Sequence, residues 1–170
     1  MNGFSRRGRG LQIKLRRNEA VVLHVMIGEL IEVVNPLCQP SPNGEPTPPP
    51  SDPAMARLFP NAYRDDQDAS DEFRHFTQAD QAGAKVAAAR AVTADIEGAD
   101  DGWVSLPPEN ADAWAITLTN LRLMLAASLG IVDQLDADQL ADLAQDDPLA
   151  PSAAIYDWCG WLLESLIECL

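Results

Sequence analysis

The chain has 170 residues, of which 46% are apolar, 26 acidic and 12 basic, for a net charge of −14. That apolar share supports a core and excludes wholesale disorder, while the acidic surface argues against a general nucleic-acid binder. Three scattered cysteines exclude a disulfide scaffold, and without 18 uninterrupted apolar residues no membrane span is expected. The composition therefore predicts a soluble, acidic, cytosolic globular domain.

Charge is distributed unevenly. Residues 1–18 hold six bases (Arg6, Arg7, Arg9, Lys14, Arg16 and Arg17) and no acid, which leaves a net of −20 to the remainder. Such asymmetry suits a basic arm for an anionic partner, DNA included. The simpler reading is an arm that is solvated or lies against its own acidic body, since short basic termini are common. Residues 6–10 are all arginine and glycine, so residues 1–9 read as a flexible basic arm. Residues 10–170 read as one helical domain.

Leu11, Ile13 and Leu15 alternate with Gln12, Lys14 and Arg16, the period of a half-buried strand. Asn18 then suits an N-cap, with Glu19 in the first turn. Leu23, Ile27, Leu30 and Val34 form an apolar stripe, widened by Val22, Met26 and Val33; His24, Gly28 and Glu32 lie opposite. Asn35-Pro36 ends this helix. Eight of the thirteen prolines fall in residues 36–53, which predicts an extended linker or, alternatively, a ligand for an aromatic-lined groove.

Helix signals resume over residues 54–58. A second helical region covers residues 69–96, with a break expected near Thr77. Residues 103–106 read as a short strand, and the strand at 11–15 is its simplest partner. Further helices are expected over residues 112–129, 139–143 and 152–168, with Gly130 as a C-terminal cap. The predicted fold is mainly α: a single-domain helical bundle of four or five helices with a small two-stranded β element. The broad apolar arc of the last helix, with Trp161 at its edge, suggests a homodimer seam.

Catalytic signatures are absent: there is no GxSxG, P-loop, GxGxxG, HExxH or CxxC. His24 and His75 lack companion ligands at metal-binding spacing, and the paired acids suit turns rather than a calcium loop. No enzyme activity, cofactor or metal is expected. The cysteines carry the remaining reactive chemistry. Cys38 falls in the linker, and Cys159 and Cys169 on or beside the last helix. Ten helical residues separate that pair by about 15 Å, beyond the roughly 7 Å a disulfide allows. Asp157 and Glu168 are acids that disfavour nearby thiolates, and from the residues alone Cys159 reads as a small buried hydrophobe.

Four blocks occur together in order: Arg57-Leu58-Phe59-Pro60-Asn61-Ala62-Tyr63-Arg64-Asp65-Asp66, Glu72-Phe73-Arg74, Leu118-Thr119-Asn120-Leu121-Arg122-Leu123, and Tyr156-Asp157-Trp158-Cys159-Gly160-Trp161-Leu162. Together they resemble an actinobacterial family associated with an oxidative-stress transcriptional regulator, AosR, over about residues 8–168. The resemblance implies a redox-linked regulator working with an alternative sigma factor. It also implies a rival, an adaptor linked to regulated proteolysis, because genes of that family often neighbour the ClpS adaptor gene. The family's redox element is a cysteine pair with nine residues between, a spacing that Cys159 and Cys169 match. A Cys38–Cys159 bridge, which spares the helix, is the alternative. An acidic body with one basic arm favours action through a protein partner, with any DNA contact confined to the arm.

Overall fold

A computed structural model of the chain describes residues 2–40, 47–141, 143–144 and 146–170. The alternating Leu11, Ile13 and Leu15 turn inward, all under 9% exposed, and strand β2 (Gly10–Lys14) forms from this segment. It pairs antiparallel with β3 (Trp103–Leu106), Ile13 facing Val104, as the alternation predicts. A third strand, β1 (Ser5–Arg7), joins the other edge of β2, giving the order β1-β2-β3. The expected sheet had two strands. Residues 5–7 have no apolar alternation, so nothing local announces β1. The intervening loop is Gly8-Arg9, and Gly8 has φ +62°, the positive φ that tight two-residue hairpin loops require.

Among the described residues six helices complete the domain: α1 (Arg17–Val34), α2 (Pro53–Leu58), α3 (Gln67–Glu97), α4 (Ala111–Ser128), α5 (Gln134–Ala141) and α6 (Ala150–Ile167). The chain is mainly α, as expected, with one helix more than counted from sequence. Helix α1 starts two residues early. Its N-cap is Arg16, whose backbone N–H donates to Glu19 Oε2 at 2.8 Å. A 3-10 turn, Asn35–Cys38, follows α1 directly, so the helical path runs slightly past the Asn35-Pro36 stop. By length and composition alone, Arg17–Cys38 is apolar enough to cross a bilayer. Here Leu23, Ile27, Leu30 and Val34 bury one face of it in the core. Residues 41–46 of the proline-rich stretch lie outside the described residues.

Helix α3 runs unbroken for 31 residues. The expected break at Thr77 is absent because its hydroxyl donates back to the Phe73 carbonyl (2.9 Å) and caps no new start. Helix α4 packs against α6, α3 and α2 and buries Trp114, Leu118 and Leu121 completely or nearly so. Asp95 of α3 receives Trp114 Nε1 at 2.9 Å and Asn110 Nδ2 at 2.9 Å, satisfying the buried indole. Gly130 caps α4 with φ +72°, and Ile131 N–H donates to the Ala126 carbonyl, a Schellman-type closure.

The blocks at 57–66 and 72–74 meet in space. Arg74 is 5% exposed; it donates to Asp71 Oδ1 and the Thr47 carbonyl, each at 2.8 Å, and to Asn61 Oδ1. Ser70 Oγ accepts from Tyr63 N–H and donates to the Tyr63 carbonyl. Arg57 donates to the Ile131 carbonyl. These residues staple the stretch from Thr47 to Tyr63 onto α3 and the end of α4.

Candidate redox and interaction site

Helix α6 is built from two apolar stripes, and the buried one is Cys159, Leu162 and Leu166, all 0% exposed. Cys159 therefore sits inside the α4–α6 interface. Burial pushes its thiol up to about 12, and the Arg122 guanidinium pulls weakly the other way. The neighbouring charge is thus this cation, not Asp157 as the sequence suggested. Arg122 lies 4.5 Å over the Tyr156 ring and flat against Gly160, where an added Cβ would stand 3.2 Å from Cζ and Nε. A mid-helix glycine here admits a side chain from α4.

Cys169 follows the last turn of α6, its N–H donating to the Leu166 carbonyl. It is half-buried, and its thiol donates to the Phe4 carbonyl at 3.3 Å. The helical path keeps it about 15 Å from Cys159, and all three cysteines are free thiols. Cys38 is half-buried in the 3-10 turn after α1. That turn packs on α3 and α1, whereas α6 packs on α4 and α5.

The chain's beginning lies along the end of α6. Phe4 N–H donates to Ser165 Oγ (3.1 Å), which donates to the Leu162 carbonyl (2.9 Å). Gly3 lies so close that a Cβ would meet Ser165 Cβ at 2.8 Å and Trp161 at 3.3 Å. The Phe4 ring, 7% exposed, meets Trp114 edge-on with centroids 5.3 Å apart. Arg6 Nη2 donates to the Leu170 main-chain oxygen at 3.0 Å. Sequence reasoning missed this junction: Phe4 was the one signal, a lone aromatic in a basic arm. Residues 4–7 of the expected arm accordingly belong to the sheet and its anchor.

The six bases do not form one cluster. Arg6 turns to the α6 end, and Arg7 donates to Gln12 Oε1 at 3.2 Å. Lys14 lies 5.3 Å over the Trp103 ring and 4.0 Å from Asp101. Arg16 pairs with Glu19 at 3.9 Å. Arg9 and Arg17 are exposed, in the β1–β2 loop and at the start of α1. Among the described residues no three His, Cys, Asp or Glu side chains gather in a metal-binding arrangement.

Of the apolar arc expected as a dimer seam on α6, Cys159, Gly160, Leu162 and Leu166 are buried, Tyr156, Trp161 and Leu163 are half-buried, and Ile167 is 58% exposed. A family model described as "Domain of unknown function (DUF2017)" matches residues 1–170. No curated protein and no solved structure matches the chain.

Proposed function

Because the chain belongs to the DUF2017 family over its whole length, which brings no activity with it, we propose a function from the junction just described: a redox-linked regulator of transcription in the oxidative stress response. It acts in the cytoplasm through a protein partner such as an alternative sigma factor, not as an enzyme. The observation carrying this reading is the Cys169 thiol bonded to the Phe4 carbonyl, which ties the basic hairpin to the cysteine-bearing helix.

Cys169 is the accessible thiol and Cys159 the protected one. The Cys169 sulfur attacks the O–O bond of a hydroperoxide, giving a sulfenic acid and releasing the reduced alcohol or water. Cys159 then displaces the sulfenic oxygen as water, forming the S–S bond; two thiols lose two electrons and the peroxide gains them. Closure demands that the last turns of α6 unwind, since the helix holds the pair about 15 Å apart. Unwinding withdraws Cys169 from Phe4, and with it the support for β1. The partner then meets a different surface. Any DNA contact is confined to the hairpin and its arginines.

Peroxide treatment of the full chain, alkylation of remaining thiols and peptide mass mapping test this. A Cys159–Cys169 peptide is expected, with the oxidised mobility shift of the monomer lost in Cys169→Ser and kept in Cys38→Ser. A Cys38–Cys159 peptide discards the pair. Binding to purified sigma factor should differ between reduced and oxidised protein; indifference to oxidant would favour the proteolysis-linked adaptor.

A further inference from the structure

Helix α1 gives only one face to the core. Val21 and Val25 remain 55% and 52% exposed, beside exposed His24, Gly28 and Glu32. Arg17, Val21, Gly28 and Glu32 fall within about 60° of one another around the helix axis, so they form a single lengthwise strip. Nothing lies within 4 Å of where a Gly28 side chain would begin. Neither Arg17 nor Glu32 has an ion-pair partner among the described residues. A groove of about 280 Å³ runs alongside, lined by Arg17, Ala20, Val21, His24, Val25 and Ile96.

We propose that this strip is the seam of a homodimer in which α1 packs antiparallel on α1 of a second copy. A two-fold contact requires a surface complementary to itself, and this one is. Arg17 precedes Val21 by four residues, and Gly28 precedes Glu32 by four. The antiparallel register that lays Val21 over the partner's Gly28 therefore sets Arg17 against the partner's Glu32. Symmetry repeats both contacts and brings each Val25 beside the partner's His24, above the groove. Residues 20–28 contain no acid, so the strip interrupts a surface that otherwise repels a second acidic copy.

The area sets the strength. Helix α1 has 18 residues, about 27 Å of length, and a strip one helix wide falls short of the roughly 800 Å² per partner of a standard interface. A shallow crossing near 20° is needed to keep both ends in contact. The dimer is therefore weak and reversible, with dissociation in about the micromolar range.

Sedimentation velocity on the full chain from roughly 1 to 500 µM tests this. Val21→Glu and Arg17→Glu should each weaken self-association at least about tenfold, because they place a buried or repelled carboxylate in the seam. Circular dichroism should be unchanged, since both positions are exposed. Arg17→Glu combined with Glu32→Arg should restore the dimer. A monomer at every concentration overturns the proposal, as does a dimer indifferent to Val21→Glu or unrestored by the charge exchange. Flotation with phosphatidylglycerol vesicles, lost in Val21→Glu and shown by monomeric protein, would assign the face to lipid and overturn it too.

Discussion

Cys169 Sγ stands 3.3 Å from the Phe4 carbonyl oxygen, so a thiol 165 positions away holds the strand that opens the chain. The same end of α6 receives Phe4 N–H through Ser165 and Arg6 through the Leu170 oxygen. A three-residue edge strand has little stability of its own, so these contacts and the Phe4–Trp114 ring pair hold β1 in place.

Phe4→Ala removes a nearly buried ring and its edge contact, which is worth about 2–4 kcal/mol. Urea unfolding should show that loss. The more specific outcome concerns the thiol: with β1 loosened, Cys169 loses its acceptor and its cover. Alkylation of Cys169 by iodoacetamide should accelerate severalfold under reducing conditions, while Cys159 stays unreactive. An unchanged Cys169 rate would show that the strand does not shield the thiol.

The alkaline limb of stability reports on Cys159. Its folded thiol is raised from 9.0 to about 12 by burial, so the folded state keeps a proton that the unfolded chain releases. That contribution is complete below about pH 9 and lost as pH rises toward 12. Lys85 acts in the opposite sense: burial lowers it below 10.5, so it adds stability as pH rises through that interval. Cys159→Ala removes only the first effect. The native chain should therefore lose up to about 1.4 kcal/mol more per pH unit than the variant above pH 9. Equal slopes in urea titrations at stepped pH would contradict the burial.

Much of this architecture was legible because it follows from periodicity. The inward Leu11 and Ile13 specified β2 and its pairing with β3, and the Leu23–Ile27–Leu30–Val34 stripe specified the buried face of α1. Elements made by docking were not legible. Strand β1 has no pattern of its own and exists because Phe4 finds Trp114 from another helix. Thr77 offers a cap in sequence but bonds the Phe73 carbonyl in the helix. The wide apolar arc of α6 is divided in the fold, with Cys159, Leu162 and Leu166 fully buried and Ile167 58% exposed, a division its sequence does not announce. Val33, which widens the α1 stripe in sequence, is 41% exposed in the fold. Of the candidate site, the cysteines and the arm were legible as residues, but not their meeting.

Arg74 fastens the stretch from Thr47 to Asn61, the later prolines included. Its guanidinium is 5% exposed and serves Asp71, Asn61 and the Thr47 carbonyl. Arg74→Ala removes the donor from Thr47 and Asn61 and leaves Asp71 Oδ1 to Gln67 alone, a loss of about 1–3 kcal/mol. Lysine cannot supply the same fork of donors, so Arg74→Lys should recover less than half of it. Limited proteolysis should cut residues 47–63 first in both variants. Uniform cleavage elsewhere would mean that Arg74 does not fasten this segment.

Gly160→Ala separates helix propensity from packing. Alanine in mid-helix favours the helix by about 1 kcal/mol over glycine, and a surface reading of α6 predicts stabilisation. In this fold the new Cβ meets the Arg122 guanidinium at 3.2 Å, and the guanidinium must give up its place over Tyr156. Losing that cation–π contact costs about 0.5–1 kcal/mol, and the displaced cation moves away from Cys159. The single variant should therefore gain less than about 0.5 kcal/mol, well short of the full helix gain. Arg122→Ala opens the space, so adding Gly160→Ala to it should recover the full helix gain. A double-mutant cycle measured by urea unfolding gives the coupling. Additive single effects would show that Gly160 is there for a reason other than Arg122.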